Sequence, residues 1–356
     1  MKILYLMHVD WNWIKQRPHF IAEKLFLNEI EVNVFYQKYF YKKRLTANTK
    51  GQIPIKAIPR LPLSRFSLIK KINQFVYEWF IMKVLRLNRY DYVYITHPSL
   101  YFNKINIPVI YDCMDDVLAF SSDKEKNSQM FSLEEELVKK AKYVFFTAEN
   151  LKQTVLARYK CEDAHEKYLL SNNAIELPDD NLFSNFDLGN SKRIKLVYIG
   201  TITEWFDFEL LEKLDKNKYE LHLFGPVYNI SKNFSDNFII HGAVPRSQIF
   251  SIMNSADILV MPFQVSELIK SVNPVKLYEY IYSCKPVISV KYGESEKFAD
   301  YIYLYENGSL DSFVSCLEEI LCTGMKNKKS EQECKSFVEK NTWNQRVAEI
   351  KRFIGK

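Results

Sequence analysis

The chain has 356 residues, 47% apolar and 26% charged, which is enough sequence for a substantial core and about two domains, since single cores seldom exceed ~250–300 residues. Its 9 glycines are about 2.5% of the chain against a usual ~7%. No two of them lie close enough for a G-x-G-x-x-G fingerprint or a G-x-x-x-x-G-K phosphate loop. Dinucleotide-binding dehydrogenases and P-loop NTPases are excluded, so a phosphorylated ligand must be held by other means.

Taken in chain order, residues 3–7 form an apolar run that reads as a buried strand and meets Asp10 at once, without the small-residue cleavage site of a signal peptide. Residues 17–27 predict a helix with Pro18 in its first turn. Strands at 32–36 and 53–58 precede a long helical stretch at 66–87. Short β-rich runs follow at 92–95 and 109–111, and 134–140, 143–147 and 151–159 continue the alternation. A loop rich in Asn, Asp and Pro at 171–190 reads as a linker. The pattern then restarts: strands at 195–199, 220–224, 238–241, 258–261 and 287–290, helices at 208–214, 248–254, 274–282 and 310–321, and one last amphipathic helix at 331–354. This βα alternation predicts an α/β fold of two Rossmann-like domains facing across a cleft: residues 1–175, residues 176–335, and a C-terminal helix at 336–356 returning towards the first.

The formal net charge of +6 is unevenly spread. Residues 38–89 carry thirteen Lys/Arg against a single acid, Glu78, a balance of +12 that leaves −6 for the rest. Basic and apolar side chains interleave at 39–45 and 65–71, a composition suited to an anionic membrane surface. A merely solvated basic face is the plainer reading. Nucleic acid is disfavoured because no nucleic-acid motif accompanies the patch. No segment approaches the ~20 apolar residues of a membrane span, and six cysteines without C-x-x-C spacing read as reduced thiols. A cytoplasmic protein, peripheral at the inner face of the cell membrane, is expected.

Ligands of parallel sheets bind beyond the carboxyl ends of the strands. After the early strands these positions hold His8, Asp10, Trp11 and Trp13, then Thr96 and His97, then Asp112, Asp115 and Asp116. Asp10, Asp115 and Asp116 are the candidate carboxylates for proton transfer, and Trp11, Trp13 and His97 the candidate ligand contacts. Each has a structural alternative as turn, cap or packed residue. The spacing D-x-x-D-D is not the D-x-D of a metal site, and no metal or cofactor is expected. In the second half, Asn273 predicts an N-cap with Pro274 in the first turn of a helix whose N–H groups suit a diphosphate. Lys270 and Lys276 would add charge, and Glu279 could accept two ribose hydroxyls. An ordinarily capped helix with surface lysines is the alternative.

Residues 273–280, Asn-Pro-Val-Lys-Leu-Tyr-Glu-Tyr, followed by Cys284-Lys285-Pro286-Val287, resemble the nucleotide-sugar motif of GT-B glycosyltransferases. Asp10-Trp11-Asn12-Trp13, Asp112 to Asp116, Gly200-Thr201 and Asn341-Thr342-Trp343 agree with the bacterial cell-surface polysaccharide branch, of teichuronic acid or capsule type. The resemblance implies an enzyme that moves a sugar from a UDP-, GDP- or dTDP-linked donor to a lipid-linked or oligosaccharide acceptor, without metal. It places the donor near Gly200, Thr201, Phe224, Gly225, Val244, Lys270, Ser271, Asn273, Val275, Lys276 and Glu279. Three departures stand out. Ser271 occupies the place of the first glutamate of E-x7-E enzymes, Glu267 lying four residues too early. No Arg or Lys follows the strand at 195–199, and Lys270 is the candidate substitute. Cys284 stands where glycine is usual. A non-catalytic sugar-nucleotide-binding subunit and a nucleotide-sugar epimerase are the alternatives.

Overall fold

A computed structural model describes residues 1–39, 53–63, 66–120, 123–178, 186–228, 230 and 235–355. The chain forms two compact units, residues 1–172 with 343–356, and residues 173–342. Residues 40–52, 64 and 65 of the basic stretch, and 179–185 of the expected linker, lie outside the described residues.

The first unit runs β1 (Lys2–Met7), α1 (Arg17–Leu27), β2 (Glu31–Tyr39), β3 (Ile55–Arg60), α2 (Ser67–Leu87), β4 (Tyr92–Ile95), β5 (Val109–Cys113), α3 (Lys124–Lys140), β6 (Tyr143–Phe146), α4 (Glu149–Tyr159) and β7 (Tyr168–Leu170). Its strands form one parallel sheet in the order β3-β2-β1-β4-β5-β6-β7. β1 is buried on both faces from Ile3 to Met7, which is why its sequence is a continuous apolar run rather than an alternation. Each such fully buried side chain contributes about 1.5–3 kcal/mol.

The second unit runs β8 (Ile194–Ile199), α5 (Phe208–Glu212), β9 (Tyr219–Phe224), β10 (Phe238–Gly242), α6 (Ile249–Ser255), β11 (Ile258–Met261), α7 (Glu267–Lys270), α8 (Val275–Tyr282), β12 (Val287–Val290), α9 (Gly293–Glu296), β13 (Tyr303–Tyr305), α10 (Leu310–Cys322) and α11 (Glu331–Glu339). Its parallel sheet has the order β10-β9-β8-β11-β12-β13. Both sheets reverse direction of winding once, between β1 and β4 and between β8 and β11. The crevices outside those strand ends are the places a doubly wound sheet offers a ligand.

The expected single helix at 331–354 is two. After α11 the Asn341 side chain donates to the Phe337 carbonyl, Asn341 O accepts from Ile175 N–H, and Thr342 bridges Ile175 as a strand would. The backbone leaves the helix to pair, and α12 (Trp343–Ile354) belongs to the first unit, packed on α1. Trp343, 1% exposed, stacks on Phe20 with ring centroids 5.1 Å apart and lies under the Arg17 guanidinium. α3 is longer than the sequence suggested because its first half is mostly exposed and carries no apolar periodicity. Trp343→Ala is expected to cost the first unit about 3–5 kcal/mol, as large-to-small core changes do, read as a lowered denaturant midpoint.

Candidate functional site

At the switch point of the second unit, the ends of β8, β9 and β10 come together through backbone. Gly200 N–H donates to Phe224 O at 2.8 Å and Gly225 N–H to Gly242 O at 2.7 Å. Gly225 has φ +147, and a Cβ there would overlap the Gly200 carbonyl, so only glycine permits this approach. A Cβ on Gly200 would meet the Tyr198 hydroxyl at 2.5 Å and come within 3.5 Å of Lys276 Cε. The glycine-lined strand ends therefore lie beside the first turn of α8.

That turn is not built as the sequence suggested. The N-cap position is Pro274, without a side-chain cap, and Asn273 is used elsewhere. Its carboxamide accepts from Asn173 N–H at 2.9 Å and from the Tyr278 hydroxyl, and donates to Glu294 Oε2 at 2.8 Å. A buried amide offered two donors and a carboxylate acceptor satisfies those first, so capping is lost. Leu277 N–H turns back to the Pro274 carbonyl at 3.1 Å, and no side chain caps the N–H groups of Val275 and Lys276 ahead of it.

Glu279, one turn inside α8, is 1% exposed. Arg246 Nη1 reaches its Oε1 at 3.1 Å and Lys276 Nζ its Oε2 at 3.4 Å. Burial would raise this carboxyl, but Lys276 and Arg246 overcome it and hold Glu279 below the usual carboxylate range. Arg246 comes from the turn after β10 and escaped the sequence reading. Its only signal was an arginine following Val244-Pro245, and its pairing with Glu279 is spatial. It supplies the cation that the stretch after β8 lacks. Lys270, considered for that task, instead pairs with Glu267 at 2.7 Å on the surface. Ser271 is buried, Val244 and Thr201 are half-buried, and Phe224 is a core ring stacked on His241 at 4.0 Å. Phe224 can offer a ligand only its backbone. Val275 and Lys276 stand at the helix start.

In the first unit, the carboxylates divide into paired and unpaired. Asp112 is fully buried and held by Arg17, whose Nε and Nη2 both donate to it at 2.9–3.1 Å. Asp116, 5% exposed, pairs with Arg158 at 2.6 Å and caps Leu118 N–H. Arg158 also lies 3.6 Å from buried Glu134, which accepts from the hydroxyls of Tyr111 and Tyr159. Asp116 is thus structural in its contacts. Asp115 makes no hydrogen bond or ion pair through its carboxyl among the described residues. Burial pushes it up to about 6; Arg17 opposes this, and Asp112 and Asp116 add to it.

His8 and His97, at the ends of β1 and β4, lie with ring centroids 5.1 Å apart, and His8 Nδ1 meets Thr96 Oγ1 at 2.8 Å. His97 caps the turn that follows it through Ser99 N–H, and burial lowers it to about 4. Asp10 closes a turn on Asn12 N–H at 3.0 Å. Trp11 packs on His19 at 5.2 Å, whereas Trp13 is 52% exposed. Two arginines neutralise Asp112 and Asp116, and no group of three His, Cys, Asp or Glu among the described residues converges as metal ligands would.

No family model matches the sequence. TuaH of Bacillus subtilis strain 168, assigned as a teichuronic acid biosynthesis glycosyltransferase, is 25% identical over 272 residues, covering 69% of this chain and 66% of that protein. The chain thus spans just under two thirds of that relative. Sucrose-phosphate synthase from Thermosynechococcus elongatus superposes with TM-score 0.76 at 12% identity, covering 99% and 98% of the two chains. Anabaena HepE in complex with UDP does so with TM-score 0.71 at 13% identity over 100% of both. The fold is that of the GT-B glycosyltransferases, and the likeness to a teichuronic acid enzyme extends beyond the short motifs.

The Asp115 shift has a thermodynamic sign. A carboxyl raised from an ordinary 3.8 to about 6 favours the folded state while protonated, and that contribution is lost as pH rises through about 6. Asp115→Asn should therefore leave stability near pH 4 little changed and raise it by about 1–3 kcal/mol above pH 7. Parallel denaturation of both proteins across this range checks it; identical pH profiles would contradict the half-buried, unpaired carboxyl.

Proposed function

We propose that the protein is a glycosyltransferase that moves a sugar from a nucleoside-diphosphate donor to a glycan acceptor carried on lipid, in synthesis of a cell-surface polysaccharide. The observation that carries the donor half is Glu279, buried between Arg246 and Lys276 at an uncapped helix start beside the glycine-lined ends of β8 and β9. A carboxylate kept ionised accepts two adjacent ribose hydroxyls. The α8 N–H groups and the Lys276 ammonium take the diphosphate, and Arg246 adds positive charge once Glu279 turns to the ribose. As the bond from the sugar to the diphosphate breaks, negative charge grows on the leaving oxygen, and these fixed donors stabilise it without a metal. HepE, of the same fold, is described in complex with UDP, which supports this class of donor.

For the acceptor half, Asp115 is the carboxylate best matched to taking a proton from a hydroxyl near neutral pH. Asp116 is committed to Arg158, Asp10 to its turn, and His97 is the weaker base at about 4. Trp11 and Trp13 offer aromatic faces for a sugar. The basic stretch at 38–89 supports work at the inner face of the cell membrane, and no described helix is long and apolar enough to span one.

Calorimetry with UDP, GDP and dTDP identifies the base, and the ribose assignment follows from the 2′,3′-dideoxy form of the nucleotide that binds. The wild-type protein should bind the dideoxy form about 10–100-fold more weakly, as expected for two hydrogen bonds to a charged acceptor. Glu279→Gln should shrink that difference, and Glu279→Ala should erase it. Undiminished discrimination in Glu279→Ala would refute the assignment, whatever happens to overall affinity.

A further inference from the structure

We infer that the outward face of α2 is the element that seats the first unit on an anionic lipid bilayer. This rests on the membrane part of the reading above and names the surface that performs it.

α2 has two apolar faces. Asn73, Tyr77 and Ile81 are its buried residues and point into the unit, with Phe80, Val84 and Leu85 packed alongside. At 100° per residue, Leu68, Ile72, Phe75 and Trp79 fall in a band about 60° wide on the opposite side. Leu68 and Phe75 are 70% and 71% exposed, Trp79 55% and Ile72 39%. Such spacing usually marks a face that is covered. Here it faces water across about three turns. The preceding strand end carries exposed apolar residues of its own, Leu61 and Leu63, Leu61 being held by Asn73 through hydrogen bonds to both its N–H and its carbonyl. Contiguous exposed apolar area of this kind marks an interaction surface rather than ordinary scatter.

Charge selects the occupant. Lys71 and Lys83 flank the band on either side and Arg86 continues it at the C-terminal end, none of them ion-paired among the described residues. Lys83 lies over the Trp79 ring at 5.3 Å. The helix's one acid, Glu78, sits off the band, paired with Lys104 and bonded by Gln74. Two copies of this face would bring like charges together. A bilayer with anionic headgroups instead takes the apolar side chains at the acyl boundary and leaves the cations in the headgroup layer, each contributing about 1 kcal/mol.

The test uses the full chain with phosphatidylcholine vesicles, with or without phosphatidylglycerol. The wild-type protein should sediment with the anionic vesicles and much less with neutral ones. Phe75→Glu with Trp79→Glu should weaken this about tenfold or more, and Lys71→Glu with Lys83→Glu should do so too, with unchanged thermal midpoints because all four side chains are exposed. Brominated lipid should quench wild-type tryptophan fluorescence more than that of Trp79→Phe. Retained binding by the apolar variant would overturn the inference, as would an α2-dependent dimer in sedimentation without vesicle binding. Nucleotide affinity measured on the same variants keeps the two readings separate. Vesicle binding without nucleotide binding sinks the donor assignment alone, and the reverse sinks the α2 assignment alone.

Discussion

A carboxylate that is almost wholly removed from water cannot stay ionised unless cations replace the solvent, and the second unit is organised around one such group. Glu279 is compensated by Arg246 from the turn after β10 and by Lys276 from its own helix. Removing either partner would leave a buried charge underpaid, a penalty of several kcal/mol. The pairing therefore fixes the turn after β10 against α8, and α8 against the glycine-lined end of β8. It also leaves a surplus: two cations face one carboxylate, beside helix N–H groups that no side chain caps. Excess fixed positive charge beside an uncapped helix start is the arrangement on which the proposed anion site rests.

The first unit applies the same rule to the opposite end. Arg17 encloses Asp112, and Arg158 spans Asp116 and Glu134, so these acids act as struts that tie α1 and α4 to the sheet around β5. Asp115 sits among them and receives no such partner. The neighbouring negative charges and its burial keep its proton on to a higher pH. The contrast is between adjacent residues in one segment. What separates a strut from an unpaired carboxyl here is which carboxylate the arginines can reach, not which residue type is present.

That distinction explains what the sequence could and could not disclose. Both sheets were legible because strands buried on both faces are largely apolar, as β6 and β11 are throughout and β1 is from Ile3 to Met7. Glu279 and Lys276 were legible because they stand in one short motif at a helix start announced by Pro274. Arg246 was not, since its partner lies 33 residues away and meets it only after β11 and α8 are in place. Asn273 was misread as a cap because local preference was outweighed by Asn173 and Glu294, groups distant in sequence. The break between α11 and α12 was hidden for the same reason, its cause being a bridge to Ile175. Local signals survived where burial reinforced them and failed where a long-range hydrogen bond competed.

The charge imbalance reads differently with α2 in view. A basic segment alone is consistent with a solvated surface, and an apolar helix face alone with a protein partner. α2 superposes the two, with leucine, isoleucine, phenylalanine and tryptophan along its outer band and unpaired cations at the flanks. Hydrophobic insertion without charge would be indiscriminate among membranes, and charge without insertion would be lost to salt within a Debye length. Under the proposed seating, the combination makes binding depend on both lipid surface charge and depth. An enzyme whose acceptor is carried on lipid benefits from that dependence, because confinement to the membrane plane raises the acceptor concentration it meets without requiring tight acceptor contacts.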